Sequence, residues 1–129
     1  ERGDFDGTRA YARAKRAATA LTREWARRYR GPVRFDAMHP GWADTPGLAE
    51  QLPSFYGLMK PVLRTPAEGA DTIAWLASDR DPARPDGRLW LDRRPRPFDR
   101  FPPTPLSARD RAWLWDEVVR LTGGVDPTA

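Results

Sequence analysis

Gly31-Pro32-Val33-Arg34-Phe35-Asp36-Ala37-Met38-His39-Pro40-Gly41-Trp42-Ala43-Asp44-Thr45-Pro46 is the stretch on which the fold turns. Val33, Phe35 and Ala37 alternate with Arg34 and Asp36, and Gly-Pro and Pro-Gly bound the run, so Val33 to His39 reads as a strand. It runs straight into a tight turn. In open α/β sheets, ligands bind outside the carboxyl ends of the strands, and a Pro-Gly turn there leaves backbone amides for a ligand to use.

Upstream, Thr8 to Arg30 contains no Gly or Pro, and Ala10, Ala14, Ala17, Leu21 and Trp25 recur at helical spacing. This predicts a long helix, started by Asp6 or Thr8 and stopped by Gly31-Pro32, with those five residues as its packed face. Downstream, Gly41 to Arg64 is punctuated by Gly and Pro yet rich in apolar side chains. It is either a lid-like binding segment or a short helix on the core. Thr65-Pro66-Ala67-Glu68 is a helix start with a capping box, and Ala70, Ile73, Ala74 and Ala77 are its expected buried stripe. A turn-rich piece leads to a short strand at Arg88 to Asp92. Five prolines between Pro95 and Pro105 predict an extended, irregular piece. Ser107 caps a last helix with Leu114, Trp115, Val118 and Leu121 inward, closed by Gly123-Gly124. Of Trp113 and Trp115, which fall on different faces, one belongs to the core.

Strands separated by a helix of this length point to a parallel crossover. Two such strands do not make a stable sheet alone, so the pattern reads as the second half of an α/β fold.

The chain's 129 residues suffice for one domain. Its charge is +4, but 20 of the 22 basic residues are Arg and they spread from Arg2 to Arg120. A nucleic-acid reader clusters its charge, so no nucleic-acid partner is expected. The absence of Cys and a single His exclude disulfides and a zinc centre, and no metal is expected. No apolar run approaches the ~20 residues of a membrane span.

Chemistry gathers at two places. In Tyr11-Ala12-Arg13-Ala14-Lys15 the four-residue spacing puts the phenol and the ammonium on one helical face, about 5–6 Å apart at Cβ. A neighbouring ammonium favours a phenolate, which makes a phenol usable as an acid or base at neutral pH. The plain alternative is a half-exposed tyrosine beside a solvated lysine. The second place is the turn from His39 to Pro46. There His39 reads as a structural hydrogen-bonder and Asp44 as a turn-former. Arg93, Arg94 and Arg96 read as a solvated loop.

A Tyr-x-x-x-Lys helix, then a strand into Pro-Gly-x-x-x-Thr, then a helix and a short strand, resembles the C-terminal half of the short-chain dehydrogenase/reductase (SDR) superfamily. Phe5-Asp6-Gly7, His39 to Pro46 and Asp92-Arg93-Arg94-Pro95 are similar to its dehydrogenase/reductase member twelve branch. The resemblance spans about residues 4 to 92. It implies an α/β, Rossmann-type doubly wound parallel sheet, with 1–92 as its C-terminal half and 93–129 as a Pro/Arg-rich tail and terminal helix.

It further implies an oxidoreductase using NAD or NADP to interconvert a carbonyl and an alcohol. Tyr11 is then the catalytic acid/base, and Lys15 assists it and bonds the nicotinamide ribose. Pro40, Gly41, Trp42, Ala43 and Thr45 hold the nicotinamide, through the backbone near Ala43 and the Thr45 hydroxyl. Trp42, Leu52, Phe55, Tyr56 and Met59 cover a small hydrophobic substrate. Ala14 stands where many members carry Ser or Asn. The family's glycine-rich phosphate turn and catalytic Ser precede its Tyr, and neither has a counterpart among these residues. The alternative is a non-catalytic interaction module. A cytoplasmic location and pairing of two copies through helix 8–30 are the remaining expectations.

Overall fold

The computed structural model describes residues 5–29, 31–81, 83–99 and 106–124. Its elements are α1 (Gly7–Arg28), β1 (Ala37–Met38), α2 (Pro46–Gln51), α3 (Pro53–Met59), a 3₁₀ turn (Lys60–Val62), α4 (Pro66–Ser78), β2 (Leu89–Leu91), β3 (Arg94–Arg96) and α5 (Ala108–Leu121). They divide between two units, Glu1–Ala37 with Pro85–Arg88 and Pro97–Ala129, and Met38–Arg84 with Leu89–Arg96.

In the first unit α1 packs on α5. Asp6 starts α1, its Oδ1 accepting from the Arg9 amide at 3.0 Å. Arg30 lies outside the described residues. The packed face is the expected one in part, with Ala10, Ala17, Leu21 and Trp25 half-buried. Ala14 is exposed, while Ala20 and Glu24 are buried. The reason is aromatic packing at the C-terminal end of the helix. Trp25 stacks on Phe35 at 5.2 Å and meets Trp115 of α5 edge-on at 5.4 Å. Trp115, with 3% of its surface exposed, is the core tryptophan, and Trp113 is exposed. Ser107 and Asp110 form the capping box of α5, and Gly123 and Gly124, at φ of 93° and 77°, end it. Leu121, expected inward, is exposed in that last turn.

Glu24 is the carboxylate of this core. Its Oε2 accepts from Arg27 at 2.7 Å and Arg28 at 3.2 Å, and its Oε1 lies 3.3 Å from Arg111. Burial pushes the carboxyl upward, but the hydrogen bonds and charges of Arg27 and Arg28 outweigh it and hold Glu24 below the ordinary 4.5. A carboxyl depressed in the native state stabilises fully above its unfolded value and loses that contribution as the pH falls through the native one. Glu24→Gln is therefore expected to cost about 2 kcal/mol at pH 7 in urea unfolding. The two proteins' stabilities should converge as the pH falls from the ordinary glutamate value through the lower native one. A gap that persists there would mean that packing, not charge, is what the substitution removes.

The strand expected over Val33–His39 shrinks to Ala37–Met38. At residues 35 and 36 backbone pairing is mixed with side-chain bonds, Gly87 N–H donating to the Phe35 carbonyl at 3.0 Å. The Phe35 amide donates to the Asp86 carboxylate at 2.8 Å and the Arg88 amide to that of Asp36 at 3.0 Å. Regular pairing begins where Ala37 N–H donates to the Arg88 carbonyl at 2.9 Å.

In the second unit His39 N–H donates to Trp90 O at 2.9 Å, two residues further along each strand, so β1 and β2 run parallel with α4 between them in the chain. β2 pairs antiparallel with β3, Trp90 opposite Pro95, giving the order β1-β2-β3. Arg94–Arg96 is thus a strand where irregular chain was expected. As an edge strand it tolerates Pro95, which has no N–H to donate. The rest of the proline-rich piece, 100–105, lies outside the described residues.

Asp92 and Arg93 make the two-residue turn, both at φ 55°, with Arg93 held by the Asp71 carboxylate and by the Thr72 hydroxyl at 3.3 Å. Gly41 to Arg64 forms the short helices α2 and α3 and a 3₁₀ turn, but none of their residues is buried, so they are not core helices. In α4 the capping box forms, the Thr65 amide donating to Glu68 at 2.7 Å. Its expected stripe, Ala70, Ile73, Ala74 and Ala77, is exposed, whereas Gly69 and Thr72 are buried. Trp75 rotates the helix onto the sheet by meeting Trp90 edge-on at 5.1 Å.

Candidate active site

Asp6 fixes the start of α1, which sets Tyr11 and Lys15 one turn apart in its first half. Both side chains are exposed, and Lys15 Nζ stands 5.5 Å from the centre of the Tyr11 ring. The two expected partners thus share one helical face. They belong to the first unit. All the other candidate residues belong to the second.

There the strand-end turn has a definite construction. The His39 ring accepts from the Gly41 amide through Nδ1 at 2.9 Å, the structural role expected of it. Gly41 sits at φ +77°, and a Cβ there would lie 2.8 Å from Cδ of Arg64. Ala43 and Arg64 form a parallel bridge, in which Arg64 N–H donates to Trp42 O at 2.9 Å and Asp44 N–H to Arg64 O at 2.7 Å. In that geometry the flanking residues make the bonds. The N–H and C=O of Ala43 itself face away from Arg64, and they make no hydrogen bond among the described residues. They are a donor and an acceptor side by side, suited to a carboxamide. Gly69 of α4 closes the other side, where a Cβ would stand 3.2 Å from that of Ala43.

Thr45 caps α2, its Oγ1 accepting from the Leu48 amide at 3.3 Å, which leaves its O–H to donate elsewhere. Asp44, expected to shape a turn, accepts instead from the Tyr56 hydroxyl at 2.8 Å. Trp42 and Phe55 lie 4.7 Å apart between ring centres. Trp42, Phe55 and Tyr56 are therefore brought together, with Lys60 Nζ 5.5 Å above the Tyr56 ring. Leu52 is exposed at the junction of α2 and α3, and Met59, half-buried, ends α3. Arg64 and the Asp44–Tyr56 bond were not foreseen. Arg64 carries no periodic or motif signal beyond preceding the Thr65 cap. Among the described residues no cluster of His, Cys, Asp or Glu could hold a metal ion, and no helix is long and apolar enough to cross a membrane.

Comparison with curated proteins gives the family. The chain is 47% identical over 96 residues to human "Dehydrogenase/reductase SDR family member 12" and 45% identical over 98 residues to its bovine namesake. This chain is a short-chain dehydrogenase/reductase segment. The aligned residues make up 74% and 75% of the chain but only 30% and 31% of those two SDR proteins. A third relative, "Putative daunorubicin C-13 ketoreductase DnrU" of a Streptomyces strain, is 32% identical over 123 residues, 95% of the chain and 42% of that protein. No family model matches, and no solved structure does so significantly.

Proposed function

We propose that this SDR segment is the catalytic, C-terminal part of a longer Rossmann-type oxidoreductase, which interconverts a carbonyl and an alcohol with NAD or NADP. The observation that carries the reading is the Tyr11–Lys15 face of α1 in a chain whose relatives are named as dehydrogenase/reductases. The ketoreductase name of the Streptomyces relative favours a ketone as substrate.

In this reading the Tyr11 hydroxyl gives a proton to the carbonyl oxygen, or takes one from the alcohol. Lys15, four residues on, holds a positive charge beside that phenol and reaches a ribose hydroxyl. The unpaired N–H and C=O of Ala43 and the free O–H of Thr45 fit a carboxamide, which presents one acceptor and one donor group. When bound, the nicotinamide supplies or accepts the hydride. Trp42, Leu52, Phe55, Tyr56 and Met59 give the substrate an apolar, largely aromatic wall that excludes water from the reacting carbon.

The test is an assay of the longer polypeptide that contains this chain, with NADH and NADPH against a panel of apolar ketones. Ketone-dependent oxidation of one cofactor is the expected result. A folded polypeptide that oxidises neither cofactor with any ketone, and reduces neither with the matching alcohols, would return the segment to an interaction role.

A further inference from the structure

We propose that Arg64 is a positioning residue that clamps the strand-end turn Pro40–Asp44 in the shape that leaves Ala43's backbone unpaired. Its side chain is 30% exposed and bonded at both ends of the guanidinium. Nη1 donates to the Pro40 carbonyl at 2.9 Å, and Nη2 pairs with the Asp92 carboxylate in the β2–β3 turn. Its backbone holds Trp42 and Asp44 at the same time. One residue thus grips the turn at Pro40, Trp42 and Asp44 and ties it to the hairpin.

Two features of the backbone meet this grip. Gly41 at φ +77° brings the turn against the Arg64 side chain, whose Nη1 lies 2.9 Å from where a Cβ would be. Asp92 sits at φ 55° as the first residue of the two-residue β2–β3 turn, and from there its carboxylate meets Nη2. The rigid fork of a guanidinium serves a carbonyl and a carboxylate together. A lysine ammonium is a compact point charge without that fork. Only the effect on catalysis rests on the oxidoreductase reading. The clamp itself stands on this chain's geometry.

The first arm measures amide exchange by NMR in the longer polypeptide that contains this chain, with Arg64→Met and Arg64→Lys. Arg64→Met is expected to speed exchange of the Asp44 amide about tenfold while the amides of α4 keep their protection. Arg64→Lys should fall between the two. Should Arg64→Met unfold the chain, Asp92→Asn, which weakens one end of the clamp, gives the same reading by a smaller increase. Unchanged exchange at Asp44 in the folded variants overturns the clamp. The second arm uses the same polypeptide, where Arg64→Met should raise KM for the nicotinamide cofactor about tenfold with a smaller loss in kcat. Faster exchange with an unchanged cofactor KM overturns the positioning role. A parent polypeptide without turnover counts against the oxidoreductase reading alone, and the exchange result then decides the clamp.

Discussion

Tyr11→Phe is expected to lower turnover of the longer polypeptide by about 10²–10⁴-fold, the usual contribution of a general acid or base. The substitution deletes one oxygen and its proton and keeps the ring. That ring is 65% exposed. Surface changes of this kind normally shift stability by no more than about 0.5 kcal/mol. Helix α1 keeps its Asp6 cap and its packing at Ala20 and Glu24, both remote from position 11. Loss of kcat with an unchanged melting temperature and unchanged cofactor affinity is therefore the signature of a proton donor. Lys15 stands 5.5 Å from the ring, so a merely structural pairing of the two would also survive in the Phe variant. Turnover within threefold of the parent would remove Tyr11 from the chemistry.

What the sequence made legible is local chemistry. Asp6 (one of two candidates), Thr65 with Glu68, and Ser107 each cap the helix expected after them, because a cap needs only residues about three positions apart. The Pro-Gly turn after a strand and the Tyr–Lys face follow from similarly short spacings. The expected helical faces hold for most of α1 and α5 and fail along α4, at Ala14 and at Leu121, and the failures share a cause. Apolar periodicity says which residues gain by burial, and not which ones a neighbour covers. Glu24 is buried because three arginines surround it, and Ile73 is exposed because Trp75 turns α4 toward Trp90. Arg64 was illegible because its partners Pro40 and Asp92 lie 24 and 28 residues away. Strand β3 was missed because prolines count against strands, except at an edge.

Trp115→Ala should be the most damaging single change to the first unit, at about 3–5 kcal/mol. Trp115 is 3% exposed, meets Trp25 edge-on, and carries the Arg28 guanidinium 4.3 Å from its ring. Removing the indole opens a cavity between α1 and α5. It also takes away the ring against which Arg28 is set as it bonds Glu24 at 3.2 Å. The buried apolar residues among those described are Ala20, Trp90 and Trp115, so little else in this unit can close over the gap. Against a total stability of about 5–15 kcal/mol for a domain, such a loss brings the chain close to unfolding at room temperature. Trp113→Ala is the control. That side chain is 65% exposed two positions away on the same helix, and its loss should cost no more than about 0.5 kcal/mol. Urea unfolding of both variants separates the effect of burial from that of helix propensity, which the two substitutions change alike. Equal midpoints would mean that α5 is not held to α1 through Trp115.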